Sequence, residues 1–226
     1  MNLNLEGKKV FISGSTKGIG LETARLFLDE GAKVIINGRT SESVQDALSD
    51  LDNNGASGLI ADFMNDSHVK TLIENIPNDI DILVNNVGIF KGKDFNNETV
   101  EDWNDHFKVN LMSGVQLSKH FLPEMIKRDW GRIIFISSEC TTLVPSDLLS
   151  YSVSKASINV FSSGLAKLTK GTNVTVNTIV PDPHAPNLAA ASRPLTKPPK
   201  QQIRQASSKK AAVISVVSHL KAFPAL

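Results

Sequence analysis

The chain has 226 residues, of which 41% are hydrophobic, and its 24 Lys and Arg against 23 Asp and Glu leave a formal net charge of +1. This length and composition fit one globular domain with a sizeable core rather than a disordered or membrane-spanning protein. The near-neutral charge gives no overall reason to expect nucleic acid or an anionic membrane surface as a partner.

The cysteine content and the lengths of the apolar runs indicate in which cellular compartment the protein is expected. Cys140 is the one cysteine of the chain, so no disulfide can form within it. The start of the chain, MNLNLEGKK, lacks the apolar core of a signal peptide. The apolar runs are of strand length, far short of the roughly 20 residues that cross a bilayer. We therefore expect a cytoplasmic protein without a membrane segment.

Short β-branched runs alternate along the chain with longer stretches of helical periodicity, which is typical of βαβ units on a parallel sheet. Strands are predicted at residues 8–13, 32–37, 58–61, 81–85, 132–137 and 173–180. Helices are predicted at residues 18–30, 41–51, 67–76 and 151–169, and residues 100–127 fit one helix or a broken one. The predicted fold class is α/β, a doubly wound parallel sheet of the Rossmann type.

The first predicted strand runs directly into a glycine-rich segment that opens the first helix. Gly14 permits a sharp turn, Gly18 lets the backbone approach a pyrophosphate, and Gly20 lets the helix pack closely on the sheet. The amides of a helix N-terminus also stabilise negative charge. A dinucleotide site is therefore predicted here, and a glycine-rich surface turn is the alternative. The predicted contacts are Gly14, Ser15, Thr16, Lys17, Gly18, Ile19 and Gly20.

The end of the second strand carries no acidic residue. An NAD site usually has a carboxylate there for the ribose 2′-hydroxyl, whereas this chain has Asn37-Gly38-Arg39. The guanidinium of Arg39 can pair with a 2′-phosphate, and Lys17 could add a second cation on the same side. NADP(H) is therefore favoured over NAD(H), the alternative being that both are ordinary solvated cations.

Tyr151 and Lys155 lie four residues apart on a predicted helix and so share one face. A neighbouring ammonium lowers the pKa of a phenol from about 10, so Tyr151 could exchange a proton with a substrate oxygen. Ser138, at the end of the fifth strand, can hydrogen-bond that oxygen. Because parallel-sheet sites lie at the carboxyl ends of strands, Ser138, Asn85 and the glycine segment are expected to converge.

These motifs together resemble the short-chain dehydrogenase/reductase family across residues 5–181. Val87 stands where the family usually has Ala, which is familiar in a bacterial branch whose substrates are mostly undefined. The residues that carry the resemblance are the glycine segment, Asp62, Asn85-Asn86-Val87-Gly88, Asn110, Ser138 and the pair Tyr151 and Lys155.

The resemblance implies an NAD(P)-dependent oxidoreductase that interconverts an alcohol and a carbonyl on a small molecule. It implies that Tyr151 is the acid/base and that Ser138 orients the substrate. It further implies that Lys155 holds the nicotinamide ribose and tunes Tyr151, while Asn110 supports a water-linked proton relay.

Further cofactor contacts and the assembly state also follow from the resemblance. Asp62 is expected to contact the adenine, and Asn86 and Gly88 are expected to line the cofactor site. A homodimer or homotetramer is implied, formed through the helices near Asn110 and Tyr151.

Other reactive side chains receive no role from the sequence. Glu139 and Cys140 adjoin Ser138, but position alone does not justify chemistry for them. None of the five histidines has a partner at metal-ligand spacing, so no metal site is predicted.

The composition changes abruptly after residue 182. Residues 183–226 contain seven Lys or Arg and no Asp, Glu or Gly, and seven of the ten prolines lie from Pro181 onward. We therefore predict a Rossmann domain at residues 1–182 and a basic, proline-rich tail at residues 183–226. Helical periodicity marks residues 207–220, and the strand that usually follows the sixth in this family is not recognisable.

Two explanations of the tail remain open. The family usually has a Pro-Gly motif that ends in a hydroxyl residue, where this chain has Pro181-Asp182-Pro183. One hypothesis is a change of reading frame near codon 181, which sequencing of the coding DNA would test, and the other is a divergent tail. The tail raises the alternative function of a catalytically impaired remnant that at most binds the dinucleotide. It also leaves the sixth strand with an exposed edge unless the tail covers it, and puts the tail-side oligomer interface in doubt.

Overall fold

The computed structural model describes residues 4–52 and 55–181. Within these residues a parallel six-stranded sheet has the strand order β3-β2-β1-β4-β5-β6. The order reverses between β1 and β4, the switch point beside which doubly wound sheets bind their ligands. The predicted fold class is confirmed. The strands are β1 (Lys9–Ile12), β2 (Lys33–Gly38), β3 (Ala56–Ile60), β4 (Ile82–Asn85), β5 (Gly131–Ile136) and β6 (Val174–Ile179).

Helices connect the strands and cover both faces of the sheet. The stretch predicted at residues 100–127 is two helices joined by a π-helical segment, Phe107–Met112. The sequence did not predict the short helix after β5 or a 3₁₀ turn at Phe95–Asn97. The helices are α1 (Gly18–Asp29), α2 (Ser41–Asp50), α3 (Asp66–Asn75), α4 (Val100–His106), α5 (Ser113–Lys127), α6 (Cys140–Leu143) and α7 (Leu149–Leu168).

The core has two layers because successive strand residues point to opposite faces of the sheet. Val10 and Ile12 of β1 belong to the cluster under α1 and α2. Phe11, between them, belongs to the other cluster, where its ring lies 6.3 Å from that of Phe121 in α5. The central strands β1, β4 and β5 read as mostly apolar runs, as buried parallel strands do.

β6 forms one end of the sheet, and no strand pairs with its outer edge among the residues described. Residue 182, the predicted tail at residues 183–226 and the predicted helix at residues 207–220 lie outside the described residues. The predicted domain boundary and the two explanations of the tail therefore stay predictions. In the described part of the chain, no helix has both the length and the apolar character needed to span a bilayer.

Candidate active site

The glycine-rich segment turns sharply between β1 and α1. Gly14 and Gly18 have φ angles of +60° and +64°, in the left-handed region that favours glycine. A Cβ on Gly20 would lie 2.7 Å from the carbonyl oxygen of Gly14, so only glycine allows this contact. Lys17 precedes α1 without a side-chain cap, which leaves the first amides of the helix open to an anion. The segment therefore fits the pyrophosphate of a dinucleotide.

Asn37, at the end of β2, holds the glycine segment in place. Its Oδ1 accepts a hydrogen bond from the Gly14 amide at 3.0 Å, and its own amide donates to Ser15 Oγ at 2.9 Å. The Ser15 amide donates back to the Asn37 carbonyl at 2.8 Å. The sequence pattern was informative only because Asn37 is not a carboxylate. The structure shows that Asn37 also holds the glycine segment in place through hydrogen bonds.

Ser13, at the end of β1, joins the glycine segment to the loop after β4. Its Oγ accepts hydrogen bonds from the amides of Asn86 and Val87, both at 3.1 Å. The Asn86 side chain in turn donates to the carbonyls of Ser13 and Gly14, at 3.0 and 2.7 Å. The two loops that border the switch point are thus one hydrogen-bonded unit.

The two cations expected to favour a 2′-phosphate, Lys17 and Arg39, are exposed. Neither side chain forms a hydrogen bond or ion pair with another described residue. A Cβ on Gly38 would lie 2.4 Å from Thr16 Cγ2, so no carboxylate can stand at that position without displacing Thr16. The Asp62 Oδ1 accepts from the Met64 amide at 3.0 Å, which forms the turn after β3. Contact of Asp62 with an adenine stays a prediction.

A cavity of about 310 Å³ opens at the carboxyl ends of the strands. It brings together residues that are far apart in sequence and that the motifs singled out. Ser138 comes from the end of β5, Tyr151 and Lys155 come from α7, and Asn86 and Gly88 come from the loop after β4. Its lining is Ile19, Asn86, Gly88, Ile89, Phe90, Ile136, Ser137, Ser138, Glu139, Tyr151, Lys155 and Pro181.

Lys155 is buried, with 5% of its surface exposed. Its Nζ donates to the Ile136 carbonyl at 2.8 Å. Burial lowers the pKa of this ammonium to about 8, because a charged group loses hydration in a low-dielectric site. A Cβ on Gly88 would lie 3.3 Å from Nζ, so Gly88 leaves room for the lysine.

The environment of Tyr151 differs from the expected one. The sequence predicted that Lys155 lowers the pKa of Tyr151, but in this structure the pKa of the phenol is raised. Burial is the largest cause, and a hydrogen bond with the Ser138 side chain acts in the opposite direction. Phe90 contributes to this burial, since its ring packs edge-on against Tyr151 at 4.9 Å between centroids. The expectation failed because burial is a tertiary property that helical spacing does not contain.

Asn110 lies in the π-helical segment, a deformation that is frequent at functional sites. Its Oδ1 accepts from the Ile89 amide at 2.7 Å, and its Nδ2 donates to the Ile89 carbonyl at 3.2 Å and to Ser154 Oγ at 2.9 Å. It therefore ties the loop after β4 to α7. Asn110 does not line the cavity, and its predicted part in a proton relay stays untested.

A buried polar network beside Tyr151 was not predicted. The Ser150 hydroxyl donates to Glu98 Oε1 and lies 2.9 Å from Nδ1 of His106. The His106 ring lies 6.1 Å from the ring of Tyr151, and burial lowers the pKa of His106. Glu98 and Ser150 are 52 residues apart, so no local pattern could have paired them.

Asn85, which the sequence placed at the site, points elsewhere. Its side chain is buried, does not line the cavity and has no hydrogen-bond partner within residues 4–52 and 55–181. Over the same residues, no three His, Cys, Asp or Glu side chains are grouped so as to hold a metal ion.

Comparison with protein families gives a match to the model described as short chain dehydrogenase, over residues 8–196. Among similar curated proteins is the uncharacterized oxidoreductase YvrD of Bacillus subtilis, 45% identical over 186 residues that cover 81% of this chain and 71% of YvrD. The 3-oxoacyl-[acyl-carrier-protein] reductase FabG of Escherichia coli is 34% identical over 182 residues, covering 79% of this chain and 74% of FabG.

Solved structures agree with this similarity. A short chain dehydrogenase/reductase family protein has a TM-score of 0.75 and 31% identity, covering 79% of this chain and 75% of its own. The L-sorbose reductase of Gluconobacter frateurii, complexed with NADPH and L-sorbose, has a TM-score of 0.75 and 29% identity, covering 80% of this chain and 71% of its own.

Proposed function

Because the chain belongs to the short-chain dehydrogenase family of NAD(P)-dependent oxidoreductases, we propose that it interconverts an alcohol and a carbonyl on a small molecule with NADP(H). One observation carries this proposal: Ser138, Tyr151 and Lys155 line the same cavity. The loop after β4, which is hydrogen-bonded to the glycine segment, lines it as well. Acid/base chemistry and cofactor binding are thereby supported at the same end of the sheet.

Tyr151 acts on the substrate oxygen. Its raised pKa keeps the phenol protonated at neutral pH, so in the direction of reduction it is ready to give a proton to the carbonyl oxygen. The Ser138 hydroxyl, which hydrogen-bonds Tyr151, stabilises charge on the same oxygen. When bound, the nicotinamide dinucleotide supplies or accepts the hydride.

Lys155 supplies a positive charge to the same cavity. With a pKa of about 8 it is protonated at neutral pH, and it lines the cavity together with Tyr151. It is also the residue proposed to hold the nicotinamide ribose. Asn110 keeps the Ile89 loop and α7 in register, so that Tyr151 and Lys155 face the cavity.

The preference for NADP(H) rests on the end of β2. A side chain in place of Gly38 would have to displace Thr16, and the exposed cations of Lys17 and Arg39 have no partner among the described residues. A guanidinium and an ammonium without partners suit a 2′-phosphate, which Arg39 can bind through two parallel hydrogen bonds.

The test measures turnover and binding on the same protein. Tyr151→Phe should lower kcat by about 10²–10⁴-fold, the usual contribution of a general acid, because a phenyl ring cannot give a proton. Its NADPH affinity should stay unchanged. Unchanged turnover of Tyr151→Phe would refute the acid/base role, and NADPH binding without turnover of any carbonyl would indicate the catalytically impaired remnant.

The cofactor is tested by thermal unfolding, because a ligand that binds the folded state raises the melting temperature. NADPH should stabilise the chain more than NADH does. Arg39→Ala should weaken NADPH binding roughly ten- to hundredfold, the value of a hydrogen bond to a charged group, and should leave NADH unaffected. Lys33→Ala removes an exposed cation from the other end of β2 and is the matched control. Equal stabilisation by NADH and NADPH would refute the proposed preference.

A further inference from the structure

We propose that Glu139 selects the substrate: its carboxylate accepts a hydrogen bond from a hydroxyl on the carbon next to the reacting carbonyl and repels substrates with a negative charge there. The substrate class is then an uncharged α-hydroxy carbonyl and the corresponding vicinal diol. This inference rests on the proposed function and adds the substrate class to it.

The position of Glu139 is set by the main chain. It directly follows Ser138 and precedes α6, with helical φ and ψ angles of −59° and −27°. Its carbonyl oxygen accepts from the amides of Thr142 at 2.8 Å and Leu143 at 3.1 Å. The backbone is therefore anchored by the first turn of α6, and Glu139 is one of the residues that line the cavity.

The Glu139 carboxylate has no hydrogen-bond or ion-pair partner in the part of the chain that the structure describes. Its side chain is half-buried, so the charge is only partly hydrated and favours a hydrogen-bond donor. Glu139 is also next to the reacting group in the chain, because it directly follows Ser138, whose side chain hydrogen-bonds Tyr151.

The side-chain donors of Asn86, Ser137 and Lys155 on the cavity wall are already engaged. The Asn86 amide nitrogen donates to Ser13 and Gly14, and the Ser137 hydroxyl donates to the Lys155 carbonyl at 3.3 Å. Lys155 donates to Ile136. Among the lining residues that the structure describes, Glu139 is thus the anionic side chain that a substrate can reach.

Apolar side chains form most of the remaining wall. Ile19, Ile89 and Phe90 line the cavity together with Ile136 and Pro181, and none of these side chains can accept a hydrogen bond. When Ser138 and Tyr151 hold the reacting oxygen, Glu139, which directly follows Ser138, is the charged acceptor for a second hydroxyl. An anionic group in this place would face the carboxylate across a cavity of low polarity, where like charges repel strongly.

The experiment compares three ketones of similar size under NADPH oxidation. Hydroxyacetone carries the neighbouring hydroxyl, 2-butanone carries no donor, and pyruvate carries a negative charge. For hydroxyacetone, Glu139→Ala should lower kcat/KM roughly tenfold or more, mainly through KM, because a hydrogen bond to a charged acceptor is lost. For pyruvate, Glu139→Gln should raise kcat/KM roughly tenfold, because the repulsion is removed. For 2-butanone, both variants should stay within about twofold of the wild type, since no charged or donor group is involved.

Glu101→Gln is the matched control, since Glu101 is an exposed glutamate in the first turn of α4 and does not line the cavity. It should leave all three kcat/KM values unchanged. If the wild type turns over the ketones and the Glu139 variants show the same ratios of kcat/KM among them, the role of Glu139 is overturned and the proposed function stands. If NADPH stabilises the wild type but the wild type reduces none of the ketones, both proposals are overturned.

Discussion

At the scale of single residues, the site contains a charge that the fold does not stabilise well. Lys155 is held by one hydrogen bond, from Nζ to the Ile136 carbonyl, and no carboxylate of the described part of the chain pairs with it. Its pKa falls from 10.5 to about 8, which corresponds to a cost of about 3 kcal/mol when the lysine is charged. Such a cost is expected where a residue is kept for chemistry rather than for stability.

Lys155→Met should therefore stabilise the cofactor-free protein at pH 7 while it abolishes turnover. We expect a net gain of about 1–2 kcal/mol, because the Ile136 carbonyl loses its donor. The folded-state pKa lies below the unfolded one, so the cost is fully present below pH 8 and is lost as pH rises toward 10.5. The gain should shrink between pH 7 and pH 10 in denaturant melts, and a gain that stays constant would contradict the assignment.

At this scale the sequence predicted which residues share the site. It did not predict how deeply their side chains are buried or which distant residues contact them. The four-residue spacing placed Tyr151 and Lys155 together, and the cavity does contain both. The direction of the Tyr151 pKa shift, and the network that joins Glu98, Ser150 and His106, depend on burial and on contacts between distant segments. Neither is encoded in a local pattern.

At the scale of elements, the junction of β1 and β4 organises the site. Ser13 accepts two amide hydrogen bonds from the loop after β4, and that loop carries Asn86 and Gly88. The Ser13 hydroxyl and the Asn86 side chain together therefore hold the glycine segment against one wall of the cavity.

Ser13→Ala should destabilise the protein by about 1–3 kcal/mol, because the amides of Asn86 and Val87 lose their acceptor. It should also reduce the stabilisation by NADPH, since the loop is no longer held. Ser163→Ala is the control, because that exposed hydroxyl donates only to the Asn159 carbonyl of its own helix. Equal melting temperatures for Ser13→Ala and Ser163→Ala, with and without NADPH, would disprove this role of Ser13.

Element types followed from periodicity, but irregular elements did not. The apolar repeat over residues 100–127 indicated helix and could not show the π-helical segment, whose Asn110 faces two other parts of the chain. Helix α6 has only four residues, too few for a period. It begins after Glu139, which is one of the residues that line the cavity.

At the scale of the whole molecule, the alternation of strands and helices predicted the parallel sheet, and the structure confirms it. The strand order was not in the sequence pattern, because periodicity says nothing about which strands are neighbours. The reversal between β1 and β4 is what brings the ends of β1, β4 and β5 to a single cavity.

The outer face of α7 bears on the predicted oligomer. Val153, Val160 and Leu168 are exposed, with 76% of Val160 and 66% of Leu168 accessible, and their spacing places them on one side of the helix. A Cβ on Gly164 would meet nothing within 4 Å, so the backbone of α7 is open to close approach. Exposed apolar side chains in a row are typical of an interface, and the family resemblance implied assembly through this helix.

We therefore expect a homo-oligomer in which α7 faces a second copy of the chain. Val160→Asp should shift it to monomer in sedimentation velocity, because a carboxylate buried between two apolar faces lacks a partner. Val100→Asp is the matched control, since Val100 is 78% exposed but lies at the start of α4, and it should leave the assembly intact. A wild-type monomer, or a Val160→Asp variant of unchanged mass, would contradict assembly through α7. The activity of the Val160→Asp monomer then tells whether the cavity works without a partner.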